Sequence, residues 1–350
     1  MNFITIDKKD WAGGIDKSRK TFQVFGPVQD ENGCQIKPLA PDLYPLMDAG
    51  VTTVMSPKSV LFPQTEKMLT ATLDASHEDH HVMKPVEKAD TPRAVLGIRP
   101  YDARAIQLVK LNFDNPDYQD PYWCGACAAT TFVGLGVNRP GPCDFSTSTG
   151  CGPFSEEGLD VLLADLDDRY LAKILTQKGE TWAAACGFDT KADAAESQAL
   201  FDILKKEAEK NITASVDTDR LSEKSLLDLH EAPFWEDVAF SCINCGTCTY
   251  VCPTCWCFDI QDETKHKTAT RFRNWDTCMS PLFTHHASGH NPRESKVQRV
   301  RQRFMHKLKY FVDKYDQGIM CVGCGRCVAS CPVNIDIREV CKTMNNYEKE

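Results

Sequence analysis

Residues 242–253 read CINCGTCTYVCP, and residues 321–332 repeat the pattern as CVGCGRCVASCP. Both are C-x2-C-x2-C-x3-C-P. Three thiolates at i, i+3 and i+6 on a tight loop can meet three corners of an iron-sulfur cubane. The fourth cysteine already sits on the helix that leaves the loop and points elsewhere, which is why in two-cluster ferredoxins it ligates the other cluster. The spacing therefore predicts one 4Fe-4S cluster on Cys242, Cys245, Cys248 and Cys331, and a second on Cys321, Cys324, Cys327 and Cys252. Gly246 and Gly325 stand where each loop must fold closely around its cluster, so that backbone N–H groups approach the sulfurs. Zinc fits less well, because an all-cysteine zinc site uses paired C-x2-C knuckles and needs neither the third cysteine nor the repeated proline ending. With four protein thiolates per cluster no iron is left open, and the chemistry implied is one-electron transfer.

Sixty-eight residues separate Cys252 from Cys321. That is too many for the compact hairpin-and-helix repeat of a small ferredoxin, and the intervening sequence reads helical rather than β. In Ser295 to Tyr315, Val297, Val300, Phe304, Leu308 and Phe311 fall on one helical face, while Arg299, Arg301, Arg303, Lys307 and Lys309 occupy the rest. The cationic side reads as a solvated face; balancing cluster charge or docking an acidic partner are the alternatives. The last third is thus expected to be a mainly helical, two-cluster ferredoxin-like domain over 235–350.

Upstream, short β-rich runs at Thr21 to Phe25, Val51 to Met55 and Ala94 to Ile98 alternate with helical patterns around Pro63 to Leu73 and Ala103 to Val109, with Pro, Gly and Asp between them. This gives a mixed α/β domain over 1–190 and an α+β chain overall. Residues 191–234, rich in Ala, Glu, Lys and Leu, read as a helical connector.

The chain has 350 residues, enough for about two domains, and a net charge of -9, so neither nucleic acid nor an anionic membrane surface is an expected partner. No run is long and apolar enough for a transmembrane segment, and the N-terminus MNFITIDKKDWAGG has no leader pattern, so the expected location is cytoplasmic. The 18 cysteines are the outlier. In a reducing compartment, clustered thiols are metal ligands sooner than disulfides.

At 252–263 (CPTCWCFDIQDE) and 274–307 (NWDTCMSPLFTHHASGHNPRESKVQRVRQRFMHK) the chain resembles a family of iron-sulfur proteins that includes the iron-sulfur subunit of anaerobic sulfite reductase and the sulfhydrogenase beta subunit. Ser56-Pro57-Lys58 with Phe62-Pro63-Gln64, the run Gly97 to Ala103 with Ala105-Ile106, and Ser148 to Pro153 are similar to landmarks of that family. The resemblance implies an anaerobic electron-transfer subunit without its own flavin. Such a subunit relays electrons between a flavoprotein subunit binding FAD and NAD(P) and a catalytic redox subunit, which is a hydrogenase, a sulfite reductase or a heterodisulfide-reductase-like complex. The competing readings are a substrate-reducing iron-sulfur enzyme subunit that uses a third cluster, and a metal-stabilised binding module. Two departures from the family pattern stand out: Tyr101 in place of a common cysteine, and Val137 and Ser146 where cysteines are common before the turn. Instead, Cys124, Cys127, Cys143 and Cys151 fall within 28 residues. They suggest a third metal site, with a 4Fe-4S cluster, a zinc ion or no metal as the alternatives.

Other candidates carry less. Cys255 and Cys257 point to one side of an extended segment, and they and Cys278 are expected to be buried structural cysteines. His77, Glu78, His80 and His81, like His285, His286 and His290, read as solvated polar stretches. The string at 134–141, GLGVNRPG, has the wrong spacing for a dinucleotide fingerprint and a proline where the helix would start.

Overall fold

The computed structural model describes residues 2–87 and 91–349. Within them eleven short strands follow in chain order: β1 (Asn2–Asp7), β2 (Gln23–Asp30), β3 (Gly33–Pro38), β4 (Thr65–Thr72), β5 (Lys84–Pro85), β6 (Arg93–Ile98), β7 (Thr130–Leu135), β8 (Val161–Asp165), β9 (Arg169–Ile174), β10 (Phe258–Lys265) and β11 (Thr268–Trp275). They form two sheets. The larger runs β1-β9-β8-β7-β6-β2-β3, the smaller β10-β11-β4-β5. In the larger sheet β2, β6, β7 and β8 are parallel, and β3, β9 and β1 add antiparallel margins. Parallel strands covered on both faces are continuously apolar, and β7 (TTFVGL) is buried along its whole length. Side chains alternate between faces. Val95, Ile98, Phe132 and Leu162 pack into one apolar cluster with the helix Pro100–Phe113. Ala94, Leu96, Val133 and Leu163 pack into another with Trp11 and Trp182.

The α+β class read from the sequence is the class observed. Several local readings are corrected. The stretch Pro63 to Leu73, read as helical, is strand β4, because Thr65, Lys67, Thr70 and Thr72 lie in a register with β11 that only the distant hairpin supplies. Val51 to Met55, read as a strand, is a loop. Between the two cysteine motifs the chain is not all helical, since β10 and β11 form a hairpin there. The connector stretch contains the helices Ala194–Lys210 and Leu226–Glu231 with a non-helical segment between them. Phe201 of the first packs against the large sheet, and Leu229 of the second packs into the apolar cluster of the cysteine-bearing half.

Two buried ion pairs join the halves. Arg273 of β11 bonds Glu66, its register partner on β4, and also Asp120, whose other oxygen caps the helix Pro121–Ala128. Arg326, inside the second cysteine motif, makes a two-pronged pair with Asp102 at 2.6 and 2.7 Å and also bonds Thr53. Both side chains of the Arg326–Asp102 pair are 2% exposed. Asp102 lies in the first turn of Pro100–Phe113, just past the end of β6, so the second motif docks at the C-terminal edge of the parallel strands.

Removing one partner of a buried pair strands the other charge, at a cost of about 3–5 kcal/mol. Asp102→Ala is therefore expected to lower the urea midpoint of the anaerobic protein clearly. A midpoint equal to that of the unaltered chain would show that the pair does not hold the halves together.

Candidate metal centre

Each motif folds as a tight loop that runs into a short helix, Thr247–Tyr250 in the first and Arg326–Ala329 in the second. The two loops share a backbone conformation. Asn244 and Gly323, at the same place in the repeat, have φ of 54° and 65°, and Gly246 and Gly325 have φ of 76° and 71°. At Gly325 space adds a second constraint: a Cβ there would lie 2.3 Å from the carbonyl oxygen of Cys143. The left-handed turns aim backbone N–H groups at sulfur. Asn244 N–H donates to Cys242 Sγ at 3.4 Å, Gly323 N–H to the Cys321 thiol, and Ile335 N–H to Cys331 Sγ at 3.2 Å. Donors of this kind favour a charged sulfur.

The structure brings the motif cysteines into two groups. Cys242, Cys245, Cys248 and Cys331 line one cavity, with Cys327 also on its wall. This group reaches the surface, where Cys245 is exposed. Cys321, Cys324, Cys327 and Cys252 make up the second set and interact through their charges, and Cys327 and Cys252 also act on Cys248 of the first. Burial is the dominant influence here and pushes the Cys321 thiol up to about 12 and Cys324 beyond the ordinary thiol range.

The cationic helix face is the main departure from expectation. Lys296–Met305, a π-helical turn His306–Tyr310 and Phe311–Tyr315 form one continuous rod that runs between apolar core and thiols. Arg303 and Lys307, four residues apart, are 2% and 3% exposed rather than solvated. Lys309 is buried too, but it is satisfied by Asp313 and by the carbonyls of Leu221 and Ser222. Arg303 and Lys307 face sulfur instead. Arg303 bonds Cys248 O, and Lys307 bonds Thr254 Oγ1 and Met320 O. Burial alone would discharge Lys307, yet Cys252 and Cys255 hold it above its ordinary value; Arg303 is likewise held up by Cys248 and Cys327 against its own burial. Lys58 reaches the same region from the N-terminal half, donating to Thr249 O and Cys255 O at 3.1 Å and lying 4.3 Å from the Trp275 ring, but for it burial outweighs the nearby thiols and lowers it below its ordinary value. Among the described residues Arg303, Lys307 and Lys58 have no carboxylate partner. A buried cation without a counter-charge is costly, so a set of anionic thiolates on iron fits this donor set, and a set of neutral thiols does not. Sequence reading preferred a solvated face for Arg303 and Lys307 over the alternative of balancing cluster charge, and gave Lys58 no role; the signal was the i, i+4 spacing of Arg303 and Lys307 beside an equally apolar face.

The suggested third site does not assemble. Cys124 and Cys127 sit on the helix Pro121–Ala128, which leads into the start of β7, whereas Cys143 and Cys151 lie beyond its end. A six-residue strand is about 20 Å long, and it separates the two pairs. Cys143 packs on the second motif loop, and Cys151 is acted on by the charge of Arg104. His77, His80 and His81 lie in turns at or near the surface, as expected of a solvated stretch.

Comparison with known proteins agrees with the geometry. Residues 241–335 match the family model of the 4Fe-4S dicluster domain. Sulfhydrogenase 2 subunit beta of Pyrococcus furiosus is 26% identical over 348 residues, which covers 96% of this chain and 96% of that one. No solved structure matches the chain. No helix among the described residues is long and apolar enough to cross a membrane. Residues 241–335 are thus similar to a 4Fe-4S dicluster domain, and along nearly its whole length the chain is similar to a sulfhydrogenase beta subunit.

Proposed function

We propose that this chain relays single electrons through two 4Fe-4S clusters with crossed ligation, one held by Cys242, Cys245, Cys248 and Cys331, the other by Cys321, Cys324, Cys327 and Cys252. The observation that carries the reading is the cavity on whose wall Cys331 of the second motif joins three cysteines of the first. Bound in this way, each cluster supplies reversible one-electron storage with no iron open to a reactant. The protein's own contribution is to hold and tune. Backbone N–H groups of Asn244, Gly323 and Ile335 stabilise negative charge on sulfur, and Arg303 and Lys307 favour the more negative, reduced state. Cys252 is buried and the other three thiols of the second group are half-buried, while the exposure of Cys245 makes the first group the point of exchange with another protein.

The partners we propose are a flavoprotein subunit that binds FAD and NAD(P), and a catalytic redox subunit belonging to a hydrogenase, a sulfite reductase or a heterodisulfide-reductase-like complex. Support for a multi-subunit setting comes from the relative's description as a subunit of a sulfhydrogenase. Purification of the native complex and identification of the co-eluting chains tests the assignment. A chain that isolates alone and exchanges no electrons with a reduced flavoprotein would remove it.

Crossed ligation has a sharper test. Cys331→Ser is expected to alter the spectrum of the cluster on Cys242, Cys245 and Cys248 and to leave the one on Cys321, Cys324 and Cys327 intact. A change confined to the latter would contradict the arrangement. The role of the buried cation is tested separately. Lys307→Met keeps side-chain length but removes the charge, and should lower the midpoint potential of the second cluster in an EPR-monitored titration. About 59 mV marks each tenfold change in a one-electron equilibrium. A potential that stayed put or rose would sink the electrostatic role.

A further inference from the structure

A second cavity opens beside the buried cysteine group, and its walls carry the thiols of Cys255, Cys257 and Cys278. None of the three belongs to the repeated motifs. The β10–β11 hairpin gathers them. Phe258 pairs with Trp275, and Asp276 N–H donates to Cys257 O at 2.9 Å, so the segments entering and leaving the hairpin run side by side. Cys257 and Cys278 interact thiol to thiol, and the backbone N–H of Cys278 also donates to the Cys257 sulfur. Cys255, two residues before Cys257, lies on the same wall, and its thiol also meets that of Cys252.

The charge on the cavity wall separates this group from ordinary core cysteines. Inert buried cysteines pack among apolar neighbours. Here Arg293, Arg303 and Lys307 line the same cavity, and no aspartate or glutamate does. Arg303 and Lys307 are among the most deeply buried charges in the chain. Three thiols facing buried cations across open space are the donor set of an anionic centre.

We propose that Cys255, Cys257 and Cys278 bind a third iron-sulfur cluster of the cubane type, with three protein thiolates and one iron that lacks one. The inference rests on the reading of the eight motif cysteines as ligands of two clusters, because it counts a centre beyond theirs. It replaces the split set at 124–151 as the location of a third centre.

The test uses the full chain, reconstituted anaerobically with ferrous iron and sulfide. Iron and acid-labile sulfide are counted per chain, and thiol protection is mapped by alkylation and mass spectrometry. The expected result is about twelve irons, with Cys257 and Cys278 protected from alkylation until a chelator strips the metal. Cys257→Ala and Cys278→Ala should each reduce the count by about one third, to about eight, and leave the signals of the two motif clusters unchanged. A count of about eight in the unaltered chain, with Cys257 and Cys278 freely alkylated or joined as a disulfide, would overturn the third cluster and leave the two-cluster reading standing. Zinc at these thiols would do the same. A count of about four or none would remove the two-cluster reading, and this inference with it.

Discussion

A negative centre buried in protein must be met by positive charge that nothing else claims, and this requirement organises the cysteine-bearing half. Arg303 and Lys307 enter the interior from one side of a helix whose other side, through Val300, Phe304 and Leu308, belongs to the apolar core. The rod therefore packs on both flanks. Had either cation found a carboxylate, its charge would be spent within the protein; both are instead directed at sulfur and backbone carbonyl oxygen. The π-helical turn at His306–Tyr310 falls where the rod passes the thiols, and such turns recur at functional sites because they re-aim side chains without ending the helix.

The α/β half is more than a carrier. In open parallel sheets the C-terminal strand edge, with its loops and helix starts, is where ligands are bound. Here that edge receives a loop of the same chain. Asp102 at the start of Pro100–Phe113 takes Arg326, and the backbone of residues 143–146 is pressed so closely on the second motif that Gly323 and Gly325 leave no room for a side chain. Phe145 N–H donates to Gly323 O at 2.8 Å. The N-terminal half thus fixes the shape of the loop that presents Cys321, Cys324 and Cys327.

Local spacing made the cysteine loops legible, because i, i+3, i+6 thiols with left-handed turns between them are a short-range pattern. The buried strand β6, read at Ala94 to Ile98, announced itself by composition for the same reason. What depended on distant partners was not legible. β4 contains good helix formers in Glu66, Lys67, Met68 and Leu69, yet pairing with β11 and the Arg273–Glu66 bond override that preference. The Arg303–Lys307 face looked like a solvated one because periodicity tells which residues share a side of a helix, not what stands opposite. The four cysteines at 124–151 looked like a group because they are close in sequence, but a strand between them carries the two pairs to opposite edges of a sheet.

The pairing of β4 with β11 also bears on how the molecule comes into being. Residue 65 meets residue 274 across the small sheet, and residue 102 meets residue 326 across the ion pair. Contacts this far apart in the chain are slow to form. As the polypeptide emerges during synthesis, β4 has no neighbour on its β11 side until some two hundred further residues have appeared, and an unpaired strand edge invites association with other chains. Newly made protein therefore passes through a long stage with a bare β edge, which ends when β11 is made and before the second cysteine loop at 321–332 has appeared.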